Sequence, residues 1–292
     1  MRLATRLKIE GLLLILPLLF VLVMVAVPMV RAVVMSFSDY SMLSGSRAHT
    51  FVGLDNYAGV VGLPRFWRMA RTTLWYTVFS VAGKMALGLA VALLLNAKIR
   101  GRGFLRSLIV VPWAMPGIVV ALLFTILLDP LYGVINAFLE AIGLVKSGIP
   151  FLAQVGTALP AVIGIGIWKN FPFVGLMLLA ALQGIPKELY EAAEVDGARP
   201  VQKFGRITWP MMFPVFVIML ILQLVGTLKE FDLIYLITVG GPALSTNVVG
   251  LDIYQNAFKF FKLGAASAEG LILMSVCFVF AVVYYRYEFR KR

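Results

Sequence analysis

One histidine, His49, and one cysteine, Cys277, serve a chain of 292 residues. Cys277 lies alone in an apolar run, so an intrachain disulfide is excluded. With His49 as the sole imidazole, a His-rich metal site is excluded, as is a Ser–His–acid nucleophile set within a membrane segment. His49 reads as a surface histidine. Nucleotide chemistry is missing as well. Gly143 and Gly148 have the spacing of a phosphate-binding loop, but Ile149 and Pro150 follow where Lys and Ser/Thr are required. No Gly-x-Gly-x-x-Gly opens a helix after a strand. The expectation is a chain that is not itself an enzyme, with no catalytic residue, metal or cofactor of its own.

Charge is also scarce. Only 14% of residues are charged against 61% hydrophobic, and the mean hydropathy is +0.94. A soluble domain of this length has no interior large enough for so much apolar surface, so the composition predicts an all-α polytopic membrane protein. The net charge of +12 alone would suit nucleic acid, but the placement of the charges follows membrane topology instead.

Six apolar runs are long enough to span about 30 Å of hydrocarbon. The first, from Gly11 to about Val30, follows Arg2, Arg6 and Lys8; it is too long for a signal-peptide core and reads as an uncleaved span bent near Pro17 or Pro28. The others run over about 72–95, 108–128, 159–182, 211–228 and 263–285. Residues 38–69 and 238–262 read as outer loops. Residues 131–145 carry Leu131, Ile135, Phe138, Leu139 and Ile142 at helical spacing, which predicts a short interfacial helix. Pro172 is expected to loosen the fourth span and free backbone carbonyls.

Of 26 Lys and Arg residues, 15 fall on the side of the two termini and of the 98–106 and 184–214 loops, and nine on the other. The bias predicts both termini in the cytoplasm. Lys84 and Lys169 lie within spans. Lys84 reads as a bundle-facing or snorkelling lysine, or as a substrate contact.

One polar stretch interrupts the apolar sequence. Gly184 to Pro214 gathers Lys187, Glu188, Glu191, Glu194, Asp196, Arg199, Lys203 and Arg206. Pro186 suits the first turn of a helix, Asp196-Gly197 suits its end, and Pro200 can start a second helix with Phe204 and Ile207 on one face. Pro210 is expected to close the loop before the fifth span. Ala192 and Ala193 leave little bulk, so another surface can approach. The residues fit either a loop that caps two spans or a docking element.

The order Glu191-Ala192-Ala193, three residues, Gly197, nine residues, Ile207, Pro210 resembles the EAA motif of importer-type ABC permeases; Trp209 stands where the motif usually has Leu. Phe51-Val52-Gly53-Leu54-Asp55-Asn56-Tyr57, Phe231-Asp232-Leu233-Ile234-Tyr235, Thr238 and Gly240-Gly241-Pro242 are similar to carbohydrate permeases of the maltose-transporter type.

The resemblance implies a type I ABC importer transmembrane domain over residues 1–292, with a permease core at about 70–286 and a cytoplasmic coupling loop at 184–210. It implies that Glu188, Glu191, Ala192, Ala193, Asp196, Gly197, Ile207 and Pro210 dock on a separate ATPase. It also implies a homologous permease partner, two ATP-binding subunits that hold ATP and Mg, an extracytoplasmic substrate-binding protein and a bacterial or archaeal plasma membrane. Nucleic acid has no part.

Sugar contacts need polar groups beside aromatic rings near mid-membrane. Lys169, Asn170 and Phe173 on the fourth span, and Gln223, Thr227 and Glu230 on the fifth, supply them. In the resembling family these stretches carry the sugar, although Lys169, Asn170, Thr227 and Glu230 depart from its usual residues. They otherwise read as polar glue between helices. Besides a structural membrane protein without transport, two rivals remain on sequence alone. One is the same class of importer acting on a polyol or sn-glycerol 3-phosphate, favoured by Lys84, Lys169 and the basic 65–71 stretch. The other is an ion-coupled secondary transporter, which should show inverted repeats and intramembrane carboxylates.

Overall fold

The computed structural model describes residues 2–40, 50–97 and 100–289, with side chains left out at 2–14, 16, 18, 283, 284 and 287–289. His49, Lys98 and Arg290 to Arg292 lie outside the described residues. The chain forms two compact units. One comprises Met1–Phe66 with Asp252–Met274, the other Trp67–Leu251 with Ser275–Arg292.

In the first unit, α1 (Arg2–Ser36) runs as one helix through Pro17 and Pro28. A two-residue antiparallel pair follows, β1 (Ser38–Asp39) with β2 (Thr50–Phe51), then α2 (Asp55–Val61). Here the Gly53-to-Tyr57 word has a structural task. Gly53 turns the chain at φ 58°, a left-handed value that glycine adopts without strain. Asn56 donates to the Ser36 and Ser38 carbonyls, each at 2.9 Å, and the Tyr57 hydroxyl donates to Ser36 Oγ at 2.8 Å. Arg65 pairs with Asp252, and the Asn256 amide bridges Asp252 to Glu269.

The second unit holds most spans. α3 (Pro64–Asn96) begins eight residues before the expected position, because Arg65, Arg68 and Arg71 extend a good helix outward from the apolar run. The third span is not one helix. α4 (Arg102–Ala114) and α5 (Gly117–Leu127) meet at 95°. Pro116 pushes Met115 to an extended conformation, φ −73° and ψ 133°, which no helix continues through. α6 (Val134–Ala141) supplies the short outer helix. Its buried Asn136 ties the loop by donating to the Leu128, Asp129 and Ile149 carbonyls and accepting from the Ile149 N–H.

α7 (Val155–Gln183) stays continuous through Pro160 and Pro172, so the expected loosening at Pro172 does not break the helix. Pro172 is buried, and close packing on both sides holds the course of the helix. α3 and α7 touch with glycine as the spacer: a Cβ on Gly83 would lie 2.3 Å from Ile167, and one on Gly88 would lie 2.6 Å from Val174. This register sets Gly83 level with Ile167. A core of Met85, Ala92, Leu95, Val174, Leu178, Leu182, Met212 and Met219 fills the space among α3, α7 and α10.

The polar stretch after α7 folds into α8 (Lys187–Val195), α9 (Pro200–Lys203), a π turn (Phe204–Thr208) and α10 (Trp209–Lys229). Pro210 does not close the loop. Helix is continuous from Pro200 to Lys229. The wide π turn, with the Trp209 N–H on the Phe204 carbonyl, carries the chain into Pro210, whose missing N–H falls within the first turn of α10.

Expected outer loop 238–262 is also more ordered than a loop. After α11 (Asp232–Thr238) it contains α12 (Val249–Tyr254), and Val248, Val249 and Leu251 are buried. α13 (Leu263–Phe289) completes the chain. Five helices are long and apolar enough to cross a membrane, or six if α4 and α5 count as one broken span, among the described residues.

Candidate functional site

Two places in the second unit concentrate polar groups. The first is the α8–α9 hairpin. Asp196 ends α8 and Gly197 follows at φ 71°. The Ala198 N–H donates to the Ala193 carbonyl at 2.9 Å and the Gly197 N–H to the Glu194 carbonyl at 3.0 Å. This is a Schellman closure, which answers the orphan carbonyls of the helix end and favours glycine at the left-handed position. The hairpin is fixed to the helices below it. Tyr190 and Ile207 pack on the α3–α7–α10 core, and the Tyr190 hydroxyl meets Thr208 Oγ1 at 2.9 Å. Lys203 Nζ reaches Glu194 Oε1 at 2.7 Å, a surface pair that contributes little.

With its root held, the hairpin presents its tip outward. Glu188, Glu191, Ala192, Asp196, Gly197 and Pro210 are exposed, while Ala193 and Ile207 are half-buried. Val195 and Val201 are 89% and 81% exposed, although apolar. A rigid, small-residue helix rimmed by acids and two bare valines has the form of a docking surface.

The second place lies where α3, α7 and α10 meet. Lys84 is 2% exposed, yet its ammonium has partners. Nζ donates to Thr227 Oγ1 at 3.0 Å and to Glu230 Oε2 at 3.3 Å. Sequence reasoning placed Thr227 and Glu230 on one face but missed that Lys84 holds both. The signal was present: Thr73, Thr77, Ser80 and Lys84 fall at spacings of four, three and four, a polar stripe along α3, and all four are buried. Thr227 and Glu230 are thus brought together, and Thr227 is itself buried.

The remaining expected contacts do not join this cluster. Lys169 is half-buried and makes no ion pair among the described residues. Asn170 turns back on its own helix and donates to the Gly166 carbonyl at 3.0 Å. Phe173 stacks on Trp113 of α4, with ring centroids 5.4 Å apart and planes 19° apart, and Trp168 meets Phe124 of α5 edge-on at 5.1 Å. Gln223 is half-buried with no side-chain hydrogen bond among the described residues. α4, α5, α7 and α10 therefore bring an aromatic wall and polar groups into the same unit. Both helix breaks, at Met115-Pro116 and at Glu230-Phe231, belong to it too: Asp232 Oδ2 lies 3.6 Å from where a Gly117 Cβ would stand.

The profile of a family described as binding-protein-dependent transport system inner membrane component matches residues 84–292. The sulfoquinovosyl glycerol transport system permease of Agrobacterium fabrum is 36% identical over 89% of this chain and 83% of its own. The trehalose/maltose transport system permease of Thermococcus litoralis is 37% identical over 80% of this chain and 78% of its own. A crystal structure of a bacterial alginate ABC transporter, in complex with its alginate pentasaccharide-bound periplasmic protein, superimposes with a TM-score of 0.82 at 26% identity, covering 97% of this chain and 96% of that one.

Proposed function

The chain belongs to the binding-protein-dependent transport system inner membrane components, and from that membership we propose that it is one permease subunit of an ATP-driven sugar importer. It is a multi-pass membrane protein and a transport component rather than an enzyme, as its permease relatives are. In this reading a homologous permease completes the pathway, two ATP-binding subunits with ATP and Mg supply energy, and a periplasmic binding protein delivers the sugar. The alginate transporter, solved with its sugar-loaded periplasmic protein, supports the last of these.

The observation that carries the reading is the exposed α8 helix with Glu191, Ala192 and the Gly197 turn, rooted through Tyr190 and Ile207 in the core of the spans. We assign it as the cytoplasmic contact with the ATPase, through Glu188, Glu191, Ala192, Ala193, Asp196, Gly197, Ile207 and Pro210. Both termini then share that side. Lys169, Asn170, Phe173 and Gln223 meet the sugar, with Thr227 and Glu230 set behind them by Lys84. Purification of the tagged chain from its native membrane should bring down a second permease and a P-loop ATPase. Glu191→Lys and Gly197→Pro should release the ATPase while retaining the partner permease. Retention of the ATPase by both variants refutes the docking assignment.

A further inference from the structure

The charges in the transmembrane bundle do not balance, and the imbalance falls on Lys169. Lys169 sits midway along α7, level with Lys84 by the Gly83–Ile167 register. The elements packed against α7 include α3, α4, α5, α10 and α11. α3, α4, α5 and α7 contain no Asp or Glu at all. At the end of α10, Glu230 is taken by Lys84. On α11, Asp232 is exposed at the first turn beside Gly117 and makes no ion pair with Lys169. A half-buried ammonium at the middle of a span calls for a counter-ion, because charge without one is disfavoured there. Asn170, turned back on its own helix, and Phe173, stacked on Trp113, offer it none.

We infer that the counter-ion is the substrate, and that this permease carries an acidic sugar whose carboxylate, sulfonate or phosphate meets Lys169. The inference rests on the importer reading above. Lys84 plays no part in recognising that anion, since its own charge is answered by Glu230.

The test uses the assembled transporter, with its partner permease, ATPases and binding protein, in proteoliposomes. An equimolar pool of neutral sugars, uronates, sugar sulfonates and sugar phosphates is supplied with ATP, and the lumen is read by mass spectrometry. Acidic sugars should accumulate at least about tenfold over neutral ones, Lys169→Met should cut that accumulation by at least about tenfold, and Lys169→Arg should restore it. Because the binding protein is the same throughout, the change belongs to the permease. Accumulation of neutral sugars by the unaltered complex overturns the inference, as does undiminished uptake of acidic sugar by Lys169→Met. Loss of the partner permease from the Lys169→Met complex overturns it too, by placing the counter-ion on that partner. If no sugar of either kind accumulates, the importer reading itself has failed.

Discussion

Lys84→Met removes the ammonium and keeps a side chain of similar length, so the lost term is electrostatic. Glu230 is left with a carboxylate whose side chain is 17% exposed, and Thr227 loses its partner. Removing one member of a buried pair destabilises by about 3–5 kcal/mol. The residual exposure of Glu230 places Lys84→Met at the low end, about 3 kcal/mol. Glu230→Gln strands an ammonium that is only 2% exposed, so it should lie higher in the same range of about 3–5 kcal/mol. The double variant replaces the pair with neutral groups of matching volume. It should recover at least about 2 kcal/mol relative to the sum of the single changes. Denaturant titration of the purified chain in mixed micelles, followed by tryptophan fluorescence, measures all three. Single changes that add to within about 0.5 kcal/mol would refute the pairing.

The Gly197 turn makes a separate prediction. Gly197→Ala forces a side chain into the left-handed region at φ 71° and should destabilise α8 by about 1–2 kcal/mol, read as faster amide exchange over 187–198. Gly88→Val drives branched carbons into Val174 and the Gly175 backbone, and should lower stability by about 1–3 kcal/mol or prevent insertion, seen in a denaturant titration. Asn136→Ala leaves the half-buried Ile149 N–H and its neighbouring carbonyls without their side-chain partner. It should cost about 1–3 kcal/mol and raise protease nicking at 128–150, while Asn136→Asp should fare no better, because a carboxylate cannot donate to those carbonyls.

The spans were legible because twenty apolar residues in a row admit few other readings. The helix–turn–helix at 186–203 was legible from Pro186, Gly197 and Pro200, each of which restricts the backbone in a known way. The sequence pattern predicts a loop end at Pro210 and an unbroken span over 108–128, across Pro116. The same residue marks a sharp break after Met115 and an uninterrupted helix after Trp209, and what separates the two is whether the previous turn can widen to a π turn. The candidate site was half legible. Thr227 and Glu230 share a face by spacing alone, but their partner lies 143 residues away from Thr227 in sequence. Only the α3–α7–α10 packing shows that Lys84 reaches them. Asn170 turning back on the Gly166 carbonyl was likewise invisible, since a helix offers its own acceptor to any short amide.

The helix from Pro200 to Lys229 is 30 residues long. At 1.5 Å per residue it measures roughly 45 Å. It begins at the hairpin that we propose meets the ATPase and ends beside Glu230, so in that reading it is a lever gripped at the hairpin, with the carboxylate clasped by Lys84 at its far tip. A tilt of about five degrees at the grip moves that tip by roughly 4 Å. A displacement of that size exceeds the 3.3 Å length of the Lys84–Glu230 contact itself. In the importer reading proposed above, a stroke delivered at the hairpin reaches the Lys84–Glu230 pair at the far tip through one unbroken helix.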